Sequence, residues 1–102
     1  MRIGVPKEIK VHEYRVGLVP AAVRELVESG HEVLVQTSAA TGIGFSDADY
    51  QRVGAKIAPT AEEVFARSEM IVKVKEPQPA ECAMLRAGQV LYTYLHLSLI
   101  HI

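Results

Sequence analysis

The chain runs to 102 residues and has little of several things, and each shortage removes a class of protein. Cysteine comes first: Cys82 is the single one, so no internal disulfide can staple the fold, which fits a reducing compartment. Cys82 stands beside Glu81 in an expected helix and reads as structural filler rather than a reactive thiol. Excess charge is also missing. The formal net charge is −1 with the four histidines neutral, which gives no electrostatic reason to bind nucleic acid or an acidic membrane. Long apolar runs are absent too, and none reaches the roughly 18 residues of a membrane span. Lys7, Glu8, Lys10, His12, Glu13 and Arg15 fill the stretch where a secretory signal needs an apolar core, so a cytoplasmic protein is expected. Repeats, linkers and low-complexity segments are lacking. His96 and His101 are five apart, with no cysteine or further histidine to complete a ligand set, so no metal is expected. "GIGF" (42–45) lacks the third glycine of the G-x-G-x-x-G fingerprint, since Asp47 stands there; it reads as a turn and not as a pyrophosphate cradle.

What is present is an ordinary globular balance, 49% hydrophobic and 23% charged, enough for one domain with a modest core. Short apolar runs alternate with helical patterns. Strands are expected at 2–6, 32–36, 56–58, 70–74 and 89–95. Between them the pattern predicts four helices. The first starts at Pro20, carries Val23, Leu26 and Val27 on one face, and ends at Gly30. The second covers 47–53 behind Ser46. The third runs from Thr60 to about Arg67, with Thr60 and Glu63 as the stronger of two capping boxes. The fourth covers Ala80–Leu85, with Gly88 beyond its end. Helices so regularly interleaved imply an α/β fold: a flavodoxin-like (Rossmann-like) parallel sheet of about five strands. The nearly continuous apolar runs at 32–35 and 70–74 predict strands covered on both faces.

The stretch "IVKVKEP" (71–77) sharpens the picture. Ile71, Val72 and Val74 belong in a core, whereas Lys73 and Lys75 do not unless an anionic group meets them. Ligands of open parallel sheets bind at the carboxyl ends of the strands. Lys7, Glu8 and Arg15 follow the first strand, Lys75 and Glu76 the fourth, and His96 the fifth, so Arg15, Lys75 and His96 are expected on one rim. An arginine offers a planar fork that fits a carboxylate, a lysine a point charge, and a histidine a proton exchanger near neutrality. Together they describe a site for a small anionic oxo acid or amino acid undergoing proton transfer. Taken singly, each has a plainer explanation: Arg15 as a solvated loop residue, Lys75 as a strand-end charge, His96 as a packed or capping histidine.

"MRIGVPKEIKVHEYRVGLVP", "GIGFSDADY", "MIVKVKEPQ" and "GQVLYTYLHL" resemble, in this order, the amino-terminal segment of the alanine dehydrogenase and NAD(P) transhydrogenase alpha-subunit family, over residues 1 to about 97. The lysine of "KVKEP" and the histidine of "YLHL" are typically replaced in the transhydrogenase branch, so the resemblance favours the alanine dehydrogenase branch. It implies NAD-dependent oxidative deamination of L-alanine to pyruvate and ammonium, in a homo-oligomer, a hexamer by family resemblance. It also implies roles: Arg15 for the substrate carboxylate, Lys75 for the carboxylate or carbonyl oxygen, and His96 as general acid/base. Members are considerably longer, with their NAD-binding domain beyond this chain's end. Residues 1–97 are therefore expected to be a substrate domain with no cofactor-binding residues of its own, inactive alone, and 98–102 a tail of doubtful origin. Two other readings stand beside this one. A transhydrogenase-like subunit is opposed by Lys75 and His96. A non-enzymatic flavodoxin-like receiver would need an acid after the third strand, where Ala58, Pro59 and Thr60 stand.

Overall fold

The computed structural model describes residues 1–10, 12–94 and 98–101, the last four as backbone. In chain order the elements are β1 (Arg2–Val5), α1 (Pro20–Glu28), β2 (Glu32–Gln36), α2 (Asp47–Arg52), β3 (Lys56–Ala58), α3 (Ala61–Arg67), β4 (Met70–Lys73), α4 (Pro79–Cys82), β5 (Val90–Thr93) and β6 (Ser98–His101). The alternation expected from the sequence is present through β5. The strands β1 to β5 are mutually parallel where they pair, and the sheet order is β3-β2-β1-β4-β5-β6. Of the two doubly wound orders, this is the Rossmann one rather than the flavodoxin one, and it reverses between β1 and β4. The expected tail corresponds in part to a sixth strand: β6 lies antiparallel on β5, with Val90 opposite His101 and Thr93 opposite Ser98.

Both faces of the sheet are covered, which is why its central strands are nearly continuous in apolar residues. On one face Val23 of α1 and Tyr50 of α2 pack with Ile3, Val5, Val33, Val35 and Val72. On the other, Val64 and Phe65 of α3 pack with Ala58, Ile71 and Leu91. Each such fully buried side chain contributes roughly 1.5–3 kcal/mol of transfer free energy. Tyr50 is buried whole, and its hydroxyl donates to the Leu18 carbonyl at 2.7 Å. Burial pushes its phenol up to about 12. The buried Gln89 amide closes α3 from below, donating to the carbonyls of Phe65 and Ser68 at 2.7 and 2.8 Å.

Several local expectations need correction. The reciprocal capping box is at Ser46, whose hydroxyl accepts from Asp49 N–H while Asp49 accepts from Ser46 N–H. At Thr60 only one half forms: its hydroxyl accepts from Glu63 N–H, and the Glu63 carboxylate turns instead to Arg67, 3.6 Å away one turn on. The α4 helix is one turn, Pro79–Cys82, shorter than the expected 80–85. Cys82 is exposed at its end and fills no core. "GIGF" is a turn as expected: a single 3₁₀ turn over Thr41–Ile43, closed by Gly44 at φ 91°, a conformation that suits glycine. Among the described residues no helix is long and apolar enough to cross a membrane.

Candidate active site

The strand order turns back between β1 and β4, so a crevice opens between the segments that leave their carboxyl ends. Residues 6–19 leave β1 and residues 74–78 leave β4. A close approach joins them: a Cβ placed on Gly17 would lie 2.4 Å from the Val72 carbonyl oxygen, so only glycine lets this loop lie flat against β4. The hydroxyl of Tyr94, beyond β5, donates to the Gly17 carbonyl and holds the same loop from the other side.

Two lysines, two residues apart, sit at the end of β4 in opposite circumstances. Lys73 lies on a strand flanked by β1 and β5 and is 1% exposed. Its ammonium meets Glu8 of the β1 loop at 2.8 Å and Glu81 of α4 at 3.1 Å. Glu8 also accepts the backbone N–H groups of Val74 at 2.9 Å and Lys75 at 3.3 Å. Glu81 accepts the N–H of Gln78 at 2.8 Å. Every charge of this buried trio is thus hydrogen-bonded, as a buried charge must be to persist. The trio ties the β1 loop, the end of β4 and α4 into one rigid floor. The sequence pattern buries Lys73 only if an anionic group meets it, and Glu8 and Glu81 are the groups that do so. Helical and loop carboxylates carry no pairing signal of their own.

Lys75 is a quarter exposed, and its nearest carboxylate is Glu13, at 4.0 Å. The same carboxylate takes a fork from Arg15: Nε to Oε2 and Nη2 to Oε1, both 2.9 Å. It further accepts the Arg15 backbone N–H at 2.9 Å. Arg15 and Lys75, expected on one rim from their places after β1 and β4, therefore meet at a single carboxylate. His96 lies outside the described residues. Glu13 was not among the expected site residues, and the signal that could have found it is its place two residues from Arg15 in an extended loop. The loop turns sharply just before, with His12 at φ 64°, an uncommon conformation for a residue with a side chain.

The Arg15 guanidinium holds the Glu13 carboxyl below the usual carboxylate range, against the opposing effect of burial, and Glu13 in turn raises Arg15. Nearby, Lys10 pairs with Glu76 and lowers it likewise. A cleft of about 350 Å³ opens beside this cluster, lined by Lys7, Glu8, Lys10, Glu13, Arg15 and residues of the 38–42 turn. Lys75 is not among its lining residues and joins the cluster through Glu13.

Despite the Rossmann strand order, the start of α1 offers no cradle for a pyrophosphate. The segment after β1 carries the carboxylate of Glu8, which is bonded to Lys73. The α1 helix starts with Pro20, which has no N–H, and its N-cap residue Val19 offers no polar side chain. Among the described residues, no group of three His, Cys, Asp or Glu side chains is placed to hold a metal ion.

Comparison with known proteins gives the family and the fold. Residues 4–100 match the family described as alanine dehydrogenase/PNT, N-terminal domain. The chain is 55% identical over 98 residues to an alanine dehydrogenase of Halomonas elongata, and 48% identical to one of Mycobacterium tuberculosis, in each case over 96% of this chain and 26% of the relative. Among solved structures, an L-alanine dehydrogenase superposes with a TM-score of 0.88 at 54% identity, over 91% of this chain and 26% of that one. A transhydrogenase from Sinorhizobium meliloti gives 0.85 at 28% identity, over 91% and 27%. The chain thus spans about a quarter of the length of these relatives.

Proposed function

This chain belongs to the alanine dehydrogenase/PNT N-terminal domain family, and from that premise we propose that it is the substrate-side domain of an NAD-dependent L-alanine dehydrogenase. The reaction is reversible: L-alanine, NAD and water give pyruvate, ammonium and NADH. The observation that carries the reading is the convergence of Arg15 and Lys75 on one carboxylate at the point where the strand order reverses. Two cations so placed suit the carboxylate and carbonyl oxygen of a small 2-oxo acid. Arg15 holds the substrate carboxylate through its planar fork. Lys75 holds the carboxylate or the carbonyl oxygen and stabilises the charge that develops there. His96 is assigned proton transfer to and from the substrate. The buried trio of Glu8, Lys73 and Glu81 keeps the Lys75 backbone in place.

NAD supplies the hydride acceptor and is assigned to a domain that follows residue 97 in the full-length protein. The greater identity to alanine dehydrogenases than to the transhydrogenase, 54% against 28%, supports the choice of branch. A cytoplasmic homo-oligomer of full-length chains completes the proposal. Steady-state kinetics of pyruvate amination test it. Arg15→Ala in the full-length protein is expected to raise KM for pyruvate by one to two orders of magnitude, as loss of a charge-assisted contact of about 1.5–3 kcal/mol requires, with KM for NADH unchanged. An unchanged KM for pyruvate would remove Arg15 from the site.

A further inference from the structure

Glu13 is 4% exposed in its side chain although it lies on a loop. It spends both oxygens on Arg15 and keeps Oε1 within 4.0 Å of Lys75. Only the Nε and Nη2 edge of the guanidinium is engaged, and the Arg15 side chain remains 65% exposed. The other edge, with Nη1, carries no partner among the described residues. One fork is therefore filled from within the chain while the second is left for an incoming carboxylate.

The charges follow. Arg15 and Lys75 contribute two positive charges and Glu13 one negative, which leaves +1. Lys10 and Glu76 cancel each other. Glu8 and Glu81 are bonded to Lys73 beneath the loop and leave −1 there, which Lys7 at the rim of the same cleft offsets. Resting on the reading of Arg15 and Lys75 as the substrate's anion site, we propose that Glu13 is the positioning residue that aims Arg15 and sets that site's charge to +1, so that it selects monocarboxylate oxo acids over dianions. A buried carboxylate beside two cations does both at once: it fixes the guanidinium plane and repels a second negative charge on the ligand.

Two small, stable competitors of pyruvate test this, oxamate as the monoanion and oxalate as the dianion, each titrated as an inhibitor of pyruvate amination by the full-length protein. The native protein is expected to favour oxamate. Glu13→Gln is expected to shift the ratio of the two inhibition constants toward oxalate by roughly tenfold or more, the scale of one unit charge a few ångströms away in a partly solvated site. Glu13→Asp keeps the charge but shortens the reach, so it should weaken both inhibitors and leave their ratio as in the native protein. Thermal melting confirms that each variant is folded. An unmoved ratio in Glu13→Gln overturns the proposal, as does a ratio that shifts equally in Glu13→Asp. Lys75→Ala, run alongside, separates the two levels: it must weaken both inhibitors if the anion site is where the reading puts it. If it weakens neither, that reading fails; if it weakens both while Glu13→Gln leaves the ratio fixed, only the role of Glu13 fails.

Discussion

Lys73 and Lys75 share a strand end and a charge, and differ in almost everything else. Lys73 has two carboxylates within 3.1 Å and next to no solvent. Lys75 has one at 4.0 Å and a quarter of its side chain in water. The group around Lys73 sums to −1 and is closed; the group around Lys75 sums to +1 and is open. Two residues of chain separate a charge used to build from a charge available to bind. The lesson is that a lysine's role is set by how many partners already satisfy it, and hardly by its residue type.

The comparison is broken most forcefully at Lys73. Lys73→Met leaves Glu8 and Glu81 buried without a cation, and is expected to cost about 3–5 kcal/mol. That is a large part of the roughly 5–15 kcal/mol that holds a typical domain. Denaturant unfolding followed by circular dichroism measures it. Replacing all three members together by Gln, Met and Gln should recover much of the loss, because no buried charge is then left alone.

Lys75→Ala gives the opposite profile. Stability should move by less than about 0.5 kcal/mol, as for an ordinary surface substitution. Turnover in the full-length protein should fall by about 10²–10³ with NADH binding intact, the loss typical of one preorganised donor. Lys75→Arg should rescue poorly, since the guanidinium is larger, planar and differently directed. If both lysine variants lost stability equally and neither touched turnover, the contrast between them would vanish.

Acid offers the gentlest test. Glu13 has its carboxyl lowered by Arg15, so its contribution is complete above the ordinary carboxylate range and is lost as pH falls through the depressed value. The Arg15 orientation should therefore persist through mildly acidic conditions in which unpaired carboxylates are already protonated. A chemical-shift titration of the Glu13 side-chain carbon would follow it, with a midpoint below about 4.3, the usual glutamate value. A midpoint at or above that value would mean that the fork from Arg15 is not formed in solution.

Much of this was legible in the sequence. Alternating apolar runs and helical faces are local signals, and they gave β1 to β5 and the four helices in order. Arg15 and Lys75 could be set on one rim because each directly follows a strand, and parallel strands end on the same side. The sheet order was not legible, since it depends on which strands pair at long range, and no local pattern distinguishes β1 beside β4 from β1 beside β3. Glu8 and Glu81 escaped for a related reason: they are brought to Lys73 by that order. At Thr60 the reciprocal half of the capping box is lost because Glu63 has a competing arginine one turn away, and β6 is not legible because an apolar tail with no following helix resembles no unit of the alternating pattern.

The place of β1 in the sheet also has a kinetic side. Strands β1, β2 and β3 are neighbours in space and lie in the first 58 residues, so this half can pair as soon as those residues are free. The other seam of β1, with Ile3 beside Met70 and Gly4 beside Ile71, must wait until β4 exists, and it closes a far longer loop. Closure of that loop is the natural slow step of assembly. The crevice with Arg15 on one lip and Lys75 on the other straddles this same seam. The anion site can therefore form only once β4 has joined β1, after pairing within the half that carries Arg15 has become possible.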